Sequence, residues 1–552
     1  MRLASKVFLA LLMLTSAVAQ ARTTVYIDKD LYGDCPGTYD PAERGCGDGR
    51  DTAYESITSA LEVARPGTRF ILRGGEYREV LHLTVSGTAE SPIIWEGAKG
   101  ESVVIGDVDA IVDDEEYGPI WLDGVRYNEL RGITVTDSVG FLRAIDAHHN
   151  IIEHNTFNRS NLFPSQSKRG GLYFGFSSHN KLINNLILKG TDSLALVHSD
   201  FNVIQANTFT VSGHELLTMK CSSNNVIRGN RFSNPEQKLM AAFDCEKPTM
   251  AWVGNGRLAS ENEVLDRNHR NLIEYNQFAE SSSYYSTSGG NGIQYAGQNG
   301  IIRFNTFHDE NVGLGMTYYD REAMFNRGNR VYNNTFYNNR CAGISLMGAQ
   351  EQTRSNIRDN QYANNILWDN KGWGEDGTSC EGRSPGQIVW RNSFGGHYFR
   401  GDVLGSPLGE NVLHNEFGVG EKLNEYNGKG HFTGTFVGDP RMRDPANGDF
   451  ALRPDSPVID KGVFPTRITS ADGAGDTLEV EDAGWFFDGY GIDGERGDIV
   501  QLEGSGARAR ILKVDDARKT LKLDREVSWI KGAGIALPWN GTAPDPGAHE
   551  AQ

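Results

Sequence analysis

Between Asn150 and Trp368 one short pattern of polar and apolar positions keeps returning. Its first copy reads Asn150-Ile-Ile-Glu-His-Asn155-Thr-Phe157: an Asn, two aliphatics, a polar pair, a second Asn and a closing aromatic. Further copies run over 180–187, 202–209, 225–232, 271–278, 299–307, 329–336 and, worn, 360–368. The second Asn of each falls at Asn155, Asn185, Asn207, Asn230, Asn276, Asn305, Asn334 and Asn365. The steps lie between 22 and 31 residues, apart from the Asn230–Asn276 step, which is twice 23. A period of that size, made of short strands with no helices between them, predicts an all-β, right-handed parallel β-helix rather than a helical solenoid. The pattern further predicts that the paired aliphatics point inward and stack from coil to coil. It places the second Asn at a left-handed turn, its amide bonding along the axis, and makes the Phe residues an internal ladder.

The flanks read differently. Thr23–Ile27 is a short strand; Asp51 or Thr52 then caps a helix reaching to about Ala64, with Tyr54, Ile57, Ala60, Leu61 and Ala64 on one stripe. Pro66-Gly67 ends it, and short β-rich runs follow, as expected for an N-terminal helical cap on a solenoid. Past Asn370 the repeat fades. Residues 466–541 carry their own alternating strands and read as a small β module inserted in the C-terminal cap, which 542–552 completes; 22–465 form the β-helix with its caps.

Residues 1–21 have the layout of a secretory signal: Arg2 and Lys6, the apolar run 7–14, then Ala17-Val18-Ala19 or Ala19-Gln20-Ala21 as a small-x-small cleavage site. No later stretch approaches the ~20 apolar residues of a membrane span. A secreted or periplasmic protein is expected, and a monomer. The formal charge is −18, or −20 without Arg2 and Lys6, which disfavours nucleic acid and anionic lipid as partners. An acidic polysaccharide stays open, since a groove can be locally basic or recruit a cation. Six cysteines in an exported chain point to disulfides: Cys35 with Cys46 around a Gly- and Asp-rich loop, Cys221 with Cys245 about one coil apart, and Cys341 with Cys380 as the remainder.

The opening Pro66-Gly-Thr-Arg-Phe-Ile-Leu-Arg-Gly-Gly75-Glu-Tyr77 and the segment Glu215-Leu-Leu-Thr-Met-Lys220-Cys-Ser-Ser-Asn-Asn225 resemble the pectin-lyase-like superfamily. Within it they are most similar to polysaccharide lyase family six, the alginate lyase and chondroitinase B type. That resemblance implies β-elimination on an anionic, uronate-containing polysaccharide, with alginate first and a glycosaminoglycan or pectate as alternatives. It implies Lys220 as the base and Glu215 as a calcium ligand, Ca²⁺ being the one cofactor in view. The family's second carboxylate falls on Gly213, with His214 beside it. Its Arg-containing phrase on the next coil is nearest to Leu265-Asp-Arg267-Asn-His269, making Arg267 a catalytic candidate.

From the residues themselves, Tyr284 and Tyr318 are candidates to protonate the leaving oxygen. His214, Arg303, His308, Tyr319 and Arg321 are candidates to line the substrate groove, with His198 supplied by a neighbouring coil. Two other readings compete. A glycoside hydrolase on the same scaffold needs two carboxylates across the bond, for which Asp244 and Glu246 are the best available. A non-catalytic carbohydrate-binding surface protein would use the C-terminal module.

Overall fold

The computed structural model describes residues 23–551 except 113–114, 164–169, 236–237, 244–267, 280–289, 318–324, 348–356, 371–385, 392–396, 406–409 and 415–430. Each coil contributes one strand to each of three long sheets, of seventeen, thirteen and twelve strands among the described residues. Pairing along the sheets is parallel and in register through the repeat, as in Ile152↔Leu182↔Ile204↔Ile227↔Ile273 on the first sheet. The structure is a right-handed parallel β-helix.

The strand period of two decides which aliphatic of each pair is inside. The second member (Ile152, Leu182, Ile204, Ile227, Ile273, Ile302, Val331) is fully buried in the central core. The first points outward, contrary to the expectation that both face the core. From Val203 through Val226, Leu272 and Ile301 these outward aliphatics are buried by a second layer instead. That layer is a six-stranded sheet built from Thr466–Arg467, Gly473–Glu479, Ile499–Leu502, Arg508–Asp515, Thr520–Trp529 and Gly534–Ala536. Ile511 of that sheet, with Trp485, Phe487 and Ile492 from the segment before Ile499, packs on the first sheet. A strand buried on both faces reads as continuous apolar sequence, which is why the repeat carries pairs.

The Asn positions form the expected stack. Asn207 Nδ2 donates to Asn230 Oδ1 at 3.1 Å and to the Leu182 carbonyl at 2.8 Å, and Asn230 repeats the pattern with Asn276 and Ile204. A parallel stack runs through the first Asn of each phrase, from Asn150 to Asn180, Asn202, Asn225 and Asn271. The left-handed residue is not the stacked Asn but the one before it, at His154, Asn184, Ala206, Gly229 and Tyr275. That residue turns the chain, and the Asn that follows buries its amide to satisfy the backbone groups the corner leaves free. Phe209, Phe232, Phe278, Phe307 and Phe336 stack face to face with centroids 4.7–4.9 Å apart.

The N-terminal helix is shorter than expected, Ile57–Leu61, because Asp51–Tyr54 is a strand paired with Thr23–Ile27. Ser56 is its cap, accepting from the Ser59 amide, and the Glu79 carboxylate accepts from the Ile57 and Thr58 amides. Cys35 and Cys46 are bonded, with Cα atoms 5.6 Å apart. Cys221 and Cys341 each belong to a disulfide, and Cys245 and Cys380, their expected partners, lie outside the described residues.

Candidate active site on the third sheet

The third sheet passes through Leu172–Gly175, Leu194–Val197, Glu215–Lys220 and Lys238–Phe243. Its inner positions, among them Leu194, Leu196, Leu217, Met219, Met240 and Ala242, fill the core. In Glu215–Lys220 both Leu216 and Leu217 are buried in the core, which breaks the strand's alternation. That break in alternation puts Glu215, Thr218 and Lys220 together on the outer face. One contact ties the first two: Thr218 Oγ1 donates to Glu215 Oε2 at 2.6 Å. Lys220 lies two residues beyond Thr218, roughly 7 Å along the strand.

Register supplies the neighbours. Lys220 pairs with Val197 on the preceding coil and Phe243 on the following one. Val197, Ala195, Tyr173 and Ile145 form an outward apolar strip with Trp121 against it; Trp121, Tyr173 and Ala195 stand in the row of Thr218, and Ile145 and Val197 in the row of Lys220. Arg143 stands in the row of Trp121 and Tyr173. The Lys220 carbonyl accepts from the His198 amide at 3.0 Å, and the His198 ring stacks on Phe176 at 4.8 Å.

At the other end of the row, four acid–base groups converge. His214 Nδ1 is 2.5 Å from Asp192 Oδ1, and its Nε2 is 4.0 Å from Glu215 Oε1. Lys238 Nζ donates to Glu215 Oε1 at 3.1 Å. Asp192, Glu215 and Lys238 are all at most 8% exposed. Burial works to raise the Glu215 carboxyl, but Lys238, His214 and the Thr218 hydroxyl outweigh it and hold it below the usual range, hence ionised. Burial likewise works to lower His214, and the Asp192 hydrogen bond and both carboxylates reverse this, so its imidazole sits above the ordinary value.

Asp192, His214 and Glu215 bring their donor atoms within 4.8 Å of one another, the only such group of three among the described residues. They do not fit calcium. That ion takes six to eight oxygens. Here one donor is an imidazole whose Nδ1 is already bonded to Asp192, and the two Glu215 oxygens hold Thr218 and Lys238.

The other sequence candidates fall into three groups. Arg267, Tyr284, Tyr318, Tyr319, Arg321, Asp244 and Glu246 lie outside the described residues. Arg303 is on the first sheet, 2% exposed, and does not reach this groove: it pairs with Glu274 at 2.6 Å, Asp498 at 2.7 Å and the Tyr332 hydroxyl at 2.8 Å. His308 is on the second sheet, bound to Asp309 at 2.7 Å and packed on Phe450. Flanking the same Asn305 sends them to different faces, because the corner lies between them. Asp192 and Lys238 are not among the residues that sequence reasoning singles out, yet each is 23 residues from Glu215, the same step that separates Asn207 from Asn230.

With the geometry in place, relatives can be set beside it. The family model for the right handed beta helix region matches residues 118–253 and 259–415, more than half of the chain. The chain belongs to that family. It is 23% identical over 451 residues, 74% of its length, to the uncharacterized protein YwoF of Bacillus subtilis, covering 88% of that protein. It is also 26% identical over 175 residues to pectate lyase PEL9 of Emericella nidulans, a match spanning 30% of this chain and 37% of that one. Among solved structures it is similar to pectate lyase Pel9A, at 12% identity and TM-score 0.41 over 97% of this chain and 98% of the other. It is also similar to the PL6 family alginate lyase AlyGC, at 15% and 0.43 over 72% and 54%. Among the described residues no helix is long and apolar enough to cross a membrane.

Proposed function

We propose that the protein is a polysaccharide lyase that cleaves a uronate-containing polymer by β-elimination, with Lys220 as the base. The observation that carries this reading is the outward row Glu215–Thr218–Lys220, flanked on one side by Lys238 and His214 and on the other by the Trp121–Tyr173 strip. The sequence relative named a pectate lyase agrees with it in class.

The chemistry follows from the polymer. The proton on C5 of a uronate is removable once the adjacent carboxylate is neutralised. In its neutral form the Lys220 amine takes that proton; the C–H electron pair becomes the C4–C5 double bond, the C4–O bond breaks, and the leaving oxygen collects a proton. His214 and Lys238 supply positive charge at the site, and the aromatic strip gives sugar rings a face to lie on. Arg267, Tyr284 and Tyr318 remain the sequence candidates for the proton donor.

The test is a substrate screen. Alginate, pectate, chondroitin sulfate and glucuronan are each incubated with the protein while near-ultraviolet absorbance is followed. Elimination generates an unsaturated uronate that absorbs there; hydrolysis yields reducing ends without absorbance. Rising absorbance on one of these polymers is the expected result, and reducing ends alone would overturn the lyase reading.

A further inference from the structure

We propose that Lys238 is a built-in replacement for a divalent metal: its ammonium occupies the place on Glu215 that a calcium ion would need, and the site works without one. This deepens the lyase reading and rests on it for the role in turnover, but the metal question stands on the geometry alone.

Lys238 is the in-register partner of Glu215 on the next coil, so the two side chains rise from adjacent strands at the same level. Nζ donates to Oε1 at 3.1 Å, with both side chains nearly buried. A calcium ion bound to that oxygen would sit at ~2.3–2.6 Å from it. It would then lie within a few ångströms of an ammonium in a poorly hydrated setting, where like charges repel strongly. The remaining donors are committed as well, Glu215 Oε2 to Thr218 and Asp192 to His214. Charge balance points the same way. Two carboxylates, Asp192 and Glu215, face Lys238 and an imidazole whose basicity Asp192 raises, so little net negative charge is left to attract a dication.

The consequence for turnover is specific. The charges beside Lys220 are balanced within the protein by fixed groups, so the site does not depend on free calcium.

The experiment uses the full chain, freed of metal with chelator and dialysed. Calcium is titrated by calorimetry, and thermal unfolding is followed with and without millimolar calcium. The wild type should give no binding heat and no shift in Tm. Lys238→Met leaves Glu215 buried without its counter-charge, so its Tm should fall, and calcium should restore part of the loss. Lys238→Arg keeps a cation and should stay unresponsive. Calcium binding by the wild type that disappears in Glu215→Gln would overturn the proposal, as would a wild-type affinity equal to that of Lys238→Met. Failure to find any unsaturated product would count against the lyase reading and leave the calorimetric result for Lys238 intact.

Discussion

Arg303 Nη2 and Asp498 Oδ1 meet at 2.7 Å, joining a β-helix coil to the C-terminal sheet through a guanidinium that is 2% exposed. Glu274 takes the other side of the same guanidinium, and Arg228 in turn bridges Glu274 at 2.6 Å and Glu495 at 2.8 Å. Two arginines and three carboxylates thus brace the C-terminal sheet against the first face.

Arg303→Met should therefore destabilise the fold by about 3–5 kcal/mol, because it strands Glu274 and Asp498 without their shared cation. Chemical unfolding reads this, and activity per folded molecule should be unchanged, since Arg303 faces away from the third sheet.

The Asn stack makes a second prediction. Asn230→Ala removes the acceptor for the Asn207 amide and the donor to the Ile204 carbonyl, both inside the coil. Buried backbone groups left unsatisfied cost about 1–3 kcal/mol each, so a loss of about 3 kcal/mol is expected. A denaturation midpoint within a few tenths of wild type would mean the stack is ornamental.

At Asp402 the stack ends on a carboxyl where earlier coils carry Asn. Its Oδ1 accepts from the Asn365 amide and side chain at 2.8 and 2.9 Å, and its Oδ2 has no hydrogen-bond partner among the described residues. Burial pushes this acid up to about 7. The folded state then holds a proton that the unfolded chain, with an ordinary Asp value near 3.9, has already released. Stability from this group is full below the unfolded value and is lost as pH rises toward 7. Asp402→Asn should remove that slope, making the variant less pH-sensitive than wild type and more stable at pH ~8, at up to about 1.4 kcal/mol per pH unit across the window. Parallel melting curves at pH ~5 and ~8 check it.

Much of the fold is legible in the sequence, for reasons that can be traced. Coil stacking imposes a period, so Asn207, Asn230 and Asn276 announce the solenoid, and Phe209 and Phe232 the aromatic ladder. The resemblance around Glu215 and Lys220 points to one strand and one face, on which Thr218 donates to Glu215. What is not legible depends on layers and corners. Val203 and Ile204 are both apolar, and only the position of the C-terminal sheet shows that they face opposite ways. Arg303 and His308 straddle one Asn, and the corner between them separates their faces. Lys238 escapes notice because a single Lys carries no motif; its meaning comes from standing one coil after Glu215.

The central claim is that Lys220 takes the substrate proton, and Lys220→Ala assayed on the polymer found in the screen is its most direct measurement. Lys220 is partly exposed and outside the core, and a melting curve of the variant establishes that it is folded before it is assayed. Initial rates of absorbance should fall by ~10²–10⁴-fold, the range a general base supplies. A folded Lys220→Ala protein that eliminates at the wild-type rate would contradict the account.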